Sequence, residues 1–181
     1  MTSALYRVTW LMLVFFVTSV PANAQTSAIE KSLSNPQQVG EARLKVMMWN
    51  VFDASLYSET GLFDKNEAFA LELTYLRNIK SKKIVSKSMQ EIRRMATTEI
   101  SAISLRGWKQ QLSAIIPDVR VGMSITGVRS PEGHTLFYVG DEMKGRINDT
   151  EFTDAFFDIW LGENTAEPKL RRKLTGLDRS A

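Results

Sequence analysis

The sequence contains no cysteine and a single histidine, His134. The absence of cysteine excludes disulfide bonds and thiol catalysis, so the hydrophobic core alone must hold the fold. One histidine beside a predicted hairpin turn excludes a multi-histidine metal site, and zinc sites draw mainly on cysteine and histidine. We therefore expect neither a metal nor another cofactor.

Nucleotide-binding and serine-hydrolase motifs are also missing. The chain has no GxxxxGK[ST] loop, no GxGxxG fingerprint and no GxSxG elbow. The formal net charge is only +3, and the basic residues are dispersed apart from residues 80–83 and 169–173, where helix ends are expected. This pattern predicts no nucleic-acid partner.

Only one apolar run is long, and it lies at residues 8–20. It follows the positive Arg7 and precedes Ala22-Asn23-Ala24, the small-x-small pattern of a cleavage site. The run is shorter than the ~20 apolar residues that span a bilayer. We predict a signal peptide over residues 1–24, no transmembrane segment in the mature chain, and a soluble periplasmic protein.

The rest of the chain reads as one domain. Residues 25–39 are a polar lead-in, 40–176 the domain and 177–181 a C-terminal tail. Residues 40–57 alternate between apolar and polar side chains, as a half-buried strand does, and the alternation blurs at residues 47–49. This stretch is either one long bent strand or two strands with a short join. Residues 69–75 form the clearest strand and predict an antiparallel pairing.

Two helices and then more strands are expected next. Ser81 is a predicted N-cap, and the second helix covers about residues 98–116. Its predicted buried side is Ile100, Ile103, Trp108, Leu112 and Ile115. Further elements are predicted as follows: a strand at residues 119–128, a turn at 130–133, a strand at 134–139, a short turn and strand within 140–147, a helix capped by Asn148 or Asp149, and a last helix at 169–174. Without βαβ alternation, the order favours an α+β fold, an antiparallel sheet with a layer of helices packed on one face.

Four polar side chains on the predicted sheet suggest a ligand cleft. Arg43, Tyr57, Tyr75 and Arg77 would lie beneath helices rich in methionine and aromatic residues. Arginine binds a carboxylate through two parallel hydrogen bonds, tyrosine adds a donor, and methionine lines adaptable apolar pockets. The alternative is that Arg43 is solvated at the rim of the sheet and the aromatic residues are ordinary core.

An ordered set of motifs resembles the bacterial branch of the chalcone isomerase-like family. The motifs are FDASLY (52–57), FALELTYLR (69–77), PDVRVG (117–122), GRINDTEF (145–152), FFDIWLG (156–162) and LRRKL (170–174). The resemblance covers about residues 40–176. It implies a curved antiparallel sheet, a helix layer on it and a ligand cleft between the two.

The resemblance also implies a choice of function. Plant chalcone isomerases close a ring with a strand arginine and threonine, tyrosine and asparagine side chains, whereas other relatives hold fatty acids with arginine and tyrosine. Here Arg43 matches the strand arginine, Phe52 stands near the threonine position, and residues 81–88 are small or basic where tyrosine and asparagine are expected. The prediction is a non-catalytic binding protein for a small amphipathic anion such as a fatty acid. The alternatives are an intramolecular lyase or isomerase acting on chalcone-like or other enone substrates, and an interaction scaffold with a filled cleft.

Overall fold

Six strands form an antiparallel meander in a computed structural model that describes residues 27–179. Each strand is hydrogen-bonded to its neighbour in the chain. The strands are β1 (Gln37–Val46), β2 (Trp49–Ser58), β3 (Phe69–Tyr75), β4 (Ser124–Arg129), β5 (Thr135–Val139) and β6 (Glu142–Ile147). The predicted α+β class with an antiparallel sheet is confirmed. The predicted signal peptide, residues 1–24, lies outside the described residues.

Within the described residues, five α-helices cover the two faces of the sheet unequally. They are α1 (Ala28–Ser32), α2 (Ser81–Met95), α3 (Ala102–Ile115), α4 (Thr150–Leu161) and α5 (Pro168–Leu174), and a 3-10 turn follows at Leu177–Arg179. Helices α2 to α5 contribute to the main core on one face. The short α1 packs instead against Ala70, Val128 and Tyr138 on the opposite face. The predicted polar lead-in therefore contains a helix and the start of β1.

The region predicted as one bent strand or two joined strands is a tight hairpin. Val46 pairs with Trp49, so only Met47 and Met48 form the turn. Met47 has a φ of +55°, in the left-handed region that glycine and asparagine adopt more easily. Two strands with a short join is therefore the correct alternative.

Three local predictions are wrong in detail. Ile103 is 76% exposed, because it stands five residues before the buried Trp108 and so about 140° away around the helix. Ser81 is the first residue of α2 rather than its N-cap, and the carboxylate of Asp118 accepts the hydrogen bond from its backbone N–H at 2.9 Å. The strand predicted from residue 119 begins only at Ser124, since Val119 makes an isolated bridge to Ile79.

The start of α4 is held to α3 by one carboxylate. Asp149 caps α4 by accepting a hydrogen bond from the backbone N–H of Phe152 at 3.0 Å. Its other oxygen accepts from the indole N–H of Trp108 at 2.8 Å. Since Trp108 and Phe152 are both buried, this carboxylate satisfies two donors at the edge of the core, as buried polar groups require.

The first strand and the last helix meet at Gly40. A Cβ atom at this position would lie 2.1 Å from the carbonyl oxygen of Lys173 and 2.5 Å from that of Leu174. Such distances are far below van der Waals contact, and both atoms belong to the backbone. The absence of a side chain at Gly40 is therefore what allows α5 to lie on β1.

We predict that Gly40→Ala lowers the free energy of unfolding by about 1–3 kcal/mol or more, because the added methyl group overpacks against backbone that cannot rotate away. The measurement is urea denaturation followed by circular dichroism. Gly107→Ala is the matched control, since no atom lies within 4 Å of a Cβ there and alanine favours a helix interior by about 0.5–1 kcal/mol. Equal stability of Gly40→Ala and the unchanged protein would contradict the contact.

Candidate functional site

A cavity of about 440 Å³ lies between one part of the sheet and the helix layer. Its walls come from the adjoining parts of β1, β2 and β3, from one side of α2, from the end of α4 and from the loop before α5. The apolar side chains that dominate these walls include Leu44, Phe52, Leu73, Ile84, Ile159 and Trp160.

Because side chains alternate along each strand, the apolar residues of β1 to β3 that line the cavity share one face of the sheet. Leu44 pairs with Phe52, and Phe52 pairs with Tyr75 on the next strand. Directly paired residues of adjacent strands point to the same face, so these three side chains form one row under α2. The rings of Phe52 and Tyr75 meet edge to face, with centroids 6.1 Å apart. The row forms a continuous apolar floor with one hydroxyl at its end.

Tyr75 is the tyrosine among the residues that line the cavity. The residue is 4% exposed and lines the cavity. Burial raises the pKa of Tyr75 well above its ordinary value, so the side chain stays a neutral hydroxyl at physiological pH. Within residues 27–179 we find no hydrogen-bond partner for it. A neutral tyrosine hydroxyl can donate one hydrogen bond to a ligand and accept others from it.

The rim carries charged groups. Lys83 and Lys87 line it from exposed positions on α2, and the exposed Glu167 lines it from the loop before α5. Lys87 donates to Glu91 at 2.6 Å, and Arg94 donates to the same carboxylate at 2.7 Å. Lys83 makes no ion pair with any residue of the described range. It is therefore the rim cation best placed to receive an anion.

Glu91 is the buried charge of the cavity wall. It is only 8% exposed. Burial on its own would raise the pKa of Glu91, but the hydrogen bonds from Lys87 and Arg94 outweigh burial and hold that pKa below its ordinary value. The carboxylate is thus ionised and neutralised by its two partners, and it does not offer a free negative charge to the cavity.

Arg43 does not line this cavity. Its neighbour Leu44 faces the helices, so Arg43 faces the opposite side of the sheet. There its guanidinium binds both oxygens of Asp53, with Nη2 2.8 Å from Oδ2. The structure corrects the expected position of Arg43. The sequence alone could not identify Asp53 as its partner, because that pairing depends on the register of β1 against β2.

Tyr57 and Arg77 also lie away from the cavity. Tyr57 packs against the small core beneath α1, on the same side of the sheet as Arg43. The guanidinium carbon of Arg77 lies 4.2 Å from the ring centroid of Trp49, near the hairpin turn. Of the four residues suggested by the sequence, only Tyr75 is part of the lining.

Two lining residues, Lys83 and Lys87, were missed at the sequence level. They stand four residues apart, each one position before a residue that faces the cavity, Ile84 and Ser88. Side chains at this spacing share one face of a helix. Cations that border an apolar helix stripe are the signal that would have found them.

Residues 27–179 contain neither a membrane-spanning helix nor a cluster of metal ligands. No helix in this range is long and apolar enough to cross a bilayer. Within the same residues, histidine and carboxylate side chains form no group of three or more that could hold a metal ion.

Comparisons with known proteins give a family, a bacterial relative and a solved structure of similar fold. Residues 17–176 match the protein family described as chalcone isomerase-like. An uncharacterized protein of Haemophilus influenzae is 26% identical over 145 residues, which cover 80% of this chain and 70% of that protein. The crystal structure of a fatty-acid binding protein from Arabidopsis thaliana superposes with a TM-score of 0.63 at 8% identity, covering 82% of this chain and 91% of that chain. At that identity the likeness shows the fold.

We predict that Glu91→Gln lowers the free energy of unfolding at pH 7 by about 1–3 kcal/mol, because two hydrogen bonds to a charged group are weakened in a buried site. The folded-state pKa of Glu91 lies below its ordinary value of 4.5. Its contribution is therefore present above that value and is lost as the pH falls through the folded-state pKa. Urea denaturation should show that the difference in free energy of unfolding between Glu91→Gln and the unchanged protein is smaller at pH 3 than at pH 7.

The control for this experiment is Asp53→Asn. Asp53 also forms an ion pair with an arginine, but both side chains are more than 40% exposed. Exposed pairs contribute at most about 1 kcal/mol, so Asp53→Asn should cost less than Glu91→Gln at pH 7. A Glu91→Gln gap that does not change with pH would contradict the buried ion pair.

Proposed function

Because the chain belongs to the chalcone isomerase-like family, we propose that it binds a small amphipathic anion, such as a fatty acid, without catalysing a reaction on it. The observation that carries the proposal is the open cavity of about 440 Å³ between the sheet and α2. Small-molecule sites are commonly apolar clefts of about 300–1,000 Å³ with a few polar groups. The cavity has this size and this chemistry.

The lining suggests how such a ligand is oriented. An alkyl chain would lie against Leu44, Leu73 and Trp160, where its burial releases water from apolar surface. A carboxylate would stay at the rim beside Lys83 and Lys87, since full burial of a charge is costly. The hydroxyl of Tyr75 is left for a second polar atom of the ligand or for water.

The structural likeness to a fatty-acid binding protein supports this choice of ligand class. The protein from Arabidopsis thaliana shares the fold at low sequence identity. It therefore supports the class of ligand in the proposal but not the role of any individual residue. In this chain the cation beside the cavity comes from α2, whereas the sequence had suggested a strand arginine.

The two alternative functions have less support. The isomerase alternative needs the strand arginine and the threonine at the cavity, but Arg43 faces the other side of the sheet and Phe52 stands near the threonine position. The scaffold alternative needs a cleft filled by side chains, and the cavity is open. We place the protein in the periplasm on the strength of the predicted signal peptide.

Native mass spectrometry with laurate, palmitate and oleate tests the proposal. We expect binding of at least one of them, and a reduction of affinity by about three- to tenfold in Lys83→Ala, because one partly exposed ion pair is lost. Ile84→Trp should abolish binding by filling the cavity. Lys82→Ala is the matched control, since Lys82 lies next to Lys83 on α2 but does not line the cavity.

Arg43→Ala separates the cavity from the arginine predicted by the sequence. We expect unchanged binding in this variant, because its guanidinium is held by Asp53 on the other face. Loss of binding in Arg43→Ala, together with unchanged binding in Ile84→Trp, would contradict the proposal that the ligand binds in the cavity. Consumption of naringenin chalcone faster than its spontaneous cyclisation would overturn the non-catalytic part of the proposal.

A further inference from the structure

The tip of the β1–β2 hairpin is an exposed apolar knob, formed by residues 46–49. Met47 and Met48 are 93% and 94% exposed, and Trp49 and Val46 are 62% and 48% exposed. Four consecutive apolar side chains thus project from a two-residue turn. Scattered apolar residues are normal on protein surfaces, but a contiguous group marks a site of interaction.

Methionine is an unusual residue for the backbone conformation at the tip. Met47 occupies the first turn position with a φ of +55°. Glycine, asparagine or aspartate is the usual residue at such positions in two-residue hairpins. The turn therefore carries a large apolar side chain where the backbone would favour a small or polar one.

The charged side chains around the tip are mainly basic. Between residues 44 and 52 the only charged side chain is Lys45. Arg77 stacks its guanidinium on Trp49, 4.2 Å from the ring centroid, and the carboxylate that follows along β2, Asp53, is already paired with Arg43. Lys83 stands at the cavity rim, whose lining also includes Val46 of the tip. Glu167, on that rim, is the one acidic group there that makes no ion pair within the described residues.

We propose that residues 46–49 insert into the surface of an anionic phospholipid bilayer. Tryptophan is enriched at the membrane interface, and apolar side chains with neighbouring cations bind anionic lipid surfaces. A stable contact with a folded protein or a second copy needs about 800 Å² on each partner, and a knob of four side chains at one turn is too narrow for that. A bilayer needs no such complementary surface.

The position of the tip gives this contact a consequence for the cavity. Val46 belongs both to the tip and to the cavity lining. Insertion of the tip therefore places the mouth of the cavity beside the lipid. Membrane contact does not require that the cavity binds a ligand, so the two proposals fail independently.

Co-sedimentation of the full chain with vesicles tests the proposal, using phosphatidylcholine alone or mixed with phosphatidylglycerol. We expect binding to the mixed vesicles, weakened by salt, and a fall in the partition coefficient of about tenfold or more in Met47→Asn/Met48→Ser, because apolar area no longer enters the lipid. Asparagine tolerates the left-handed backbone at position 47, so the turn is kept.

Leu62→Ser/Ile103→Ser is the matched control, since both side chains are exposed and apolar but lie away from the tip. It should partition as the unchanged protein does. All variants carry the same N-terminus, and its processing is checked by mass spectrometry. A difference in partition coefficient between variants therefore comes from the tip. Quenching of tryptophan fluorescence by brominated lipid should fall in Trp49→Phe.

Three outcomes would overturn the proposal. The unchanged protein could fail to bind the mixed vesicles, or Met47→Asn/Met48→Ser could bind as well as the control. Sedimentation equilibrium could instead show self-association that this variant alone abolishes, without vesicle binding, which would make the tip a contact between copies.

Discussion

The alternation of side chains across the antiparallel meander is the constraint on which the rest of the structure depends. Each strand residue must face either the main helix layer or the side that carries α1. Leu44, Phe52 and Tyr75 face the helices in one row and make the cavity floor. The same rule sends Arg43 to the other side, where Asp53 lies directly opposite and neutralises it. A shift of one residue in the register of β1 would exchange the two faces.

Much of the fold could be predicted because its signals are local. The alternation of β3, the turn before β5 and the carboxylate cap of α4 depend on neighbouring residues and are confirmed. Ser81 was predicted as a cap, but the group that performs the capping, Asp118, comes from a distant segment. The error has a physical cause, since a helix end can be satisfied by any nearby acceptor, whatever its position in the sequence.

The cavity was harder to locate because no single segment contains it. Tyr75 could be suggested from its strand, whereas Lys83 becomes a rim residue only when α2 crosses the sheet beside β1 and β2. Arg43 was predicted as the anchor because arginine binds carboxylates well. In the structure Arg43 is paired with Asp53, whereas Lys83 makes no ion pair within residues 27–179. Residue type thus suggested an anionic ligand, and three-dimensional packing decides which cation lies beside the cavity.

The contact between Gly40 and the end of α5 also bears on when the main core can be completed. The first strand rests on backbone carbonyls of the last helix, so the main core is incomplete until nearly the whole chain is present. Contacts between such distant segments require closure of a long loop, which makes folding slow compared with domains built from local contacts. During this interval the chain exposes apolar segments to which chaperones can bind, a kinetic property that the hydrogen atom in place of a side chain at Gly40 helps to set.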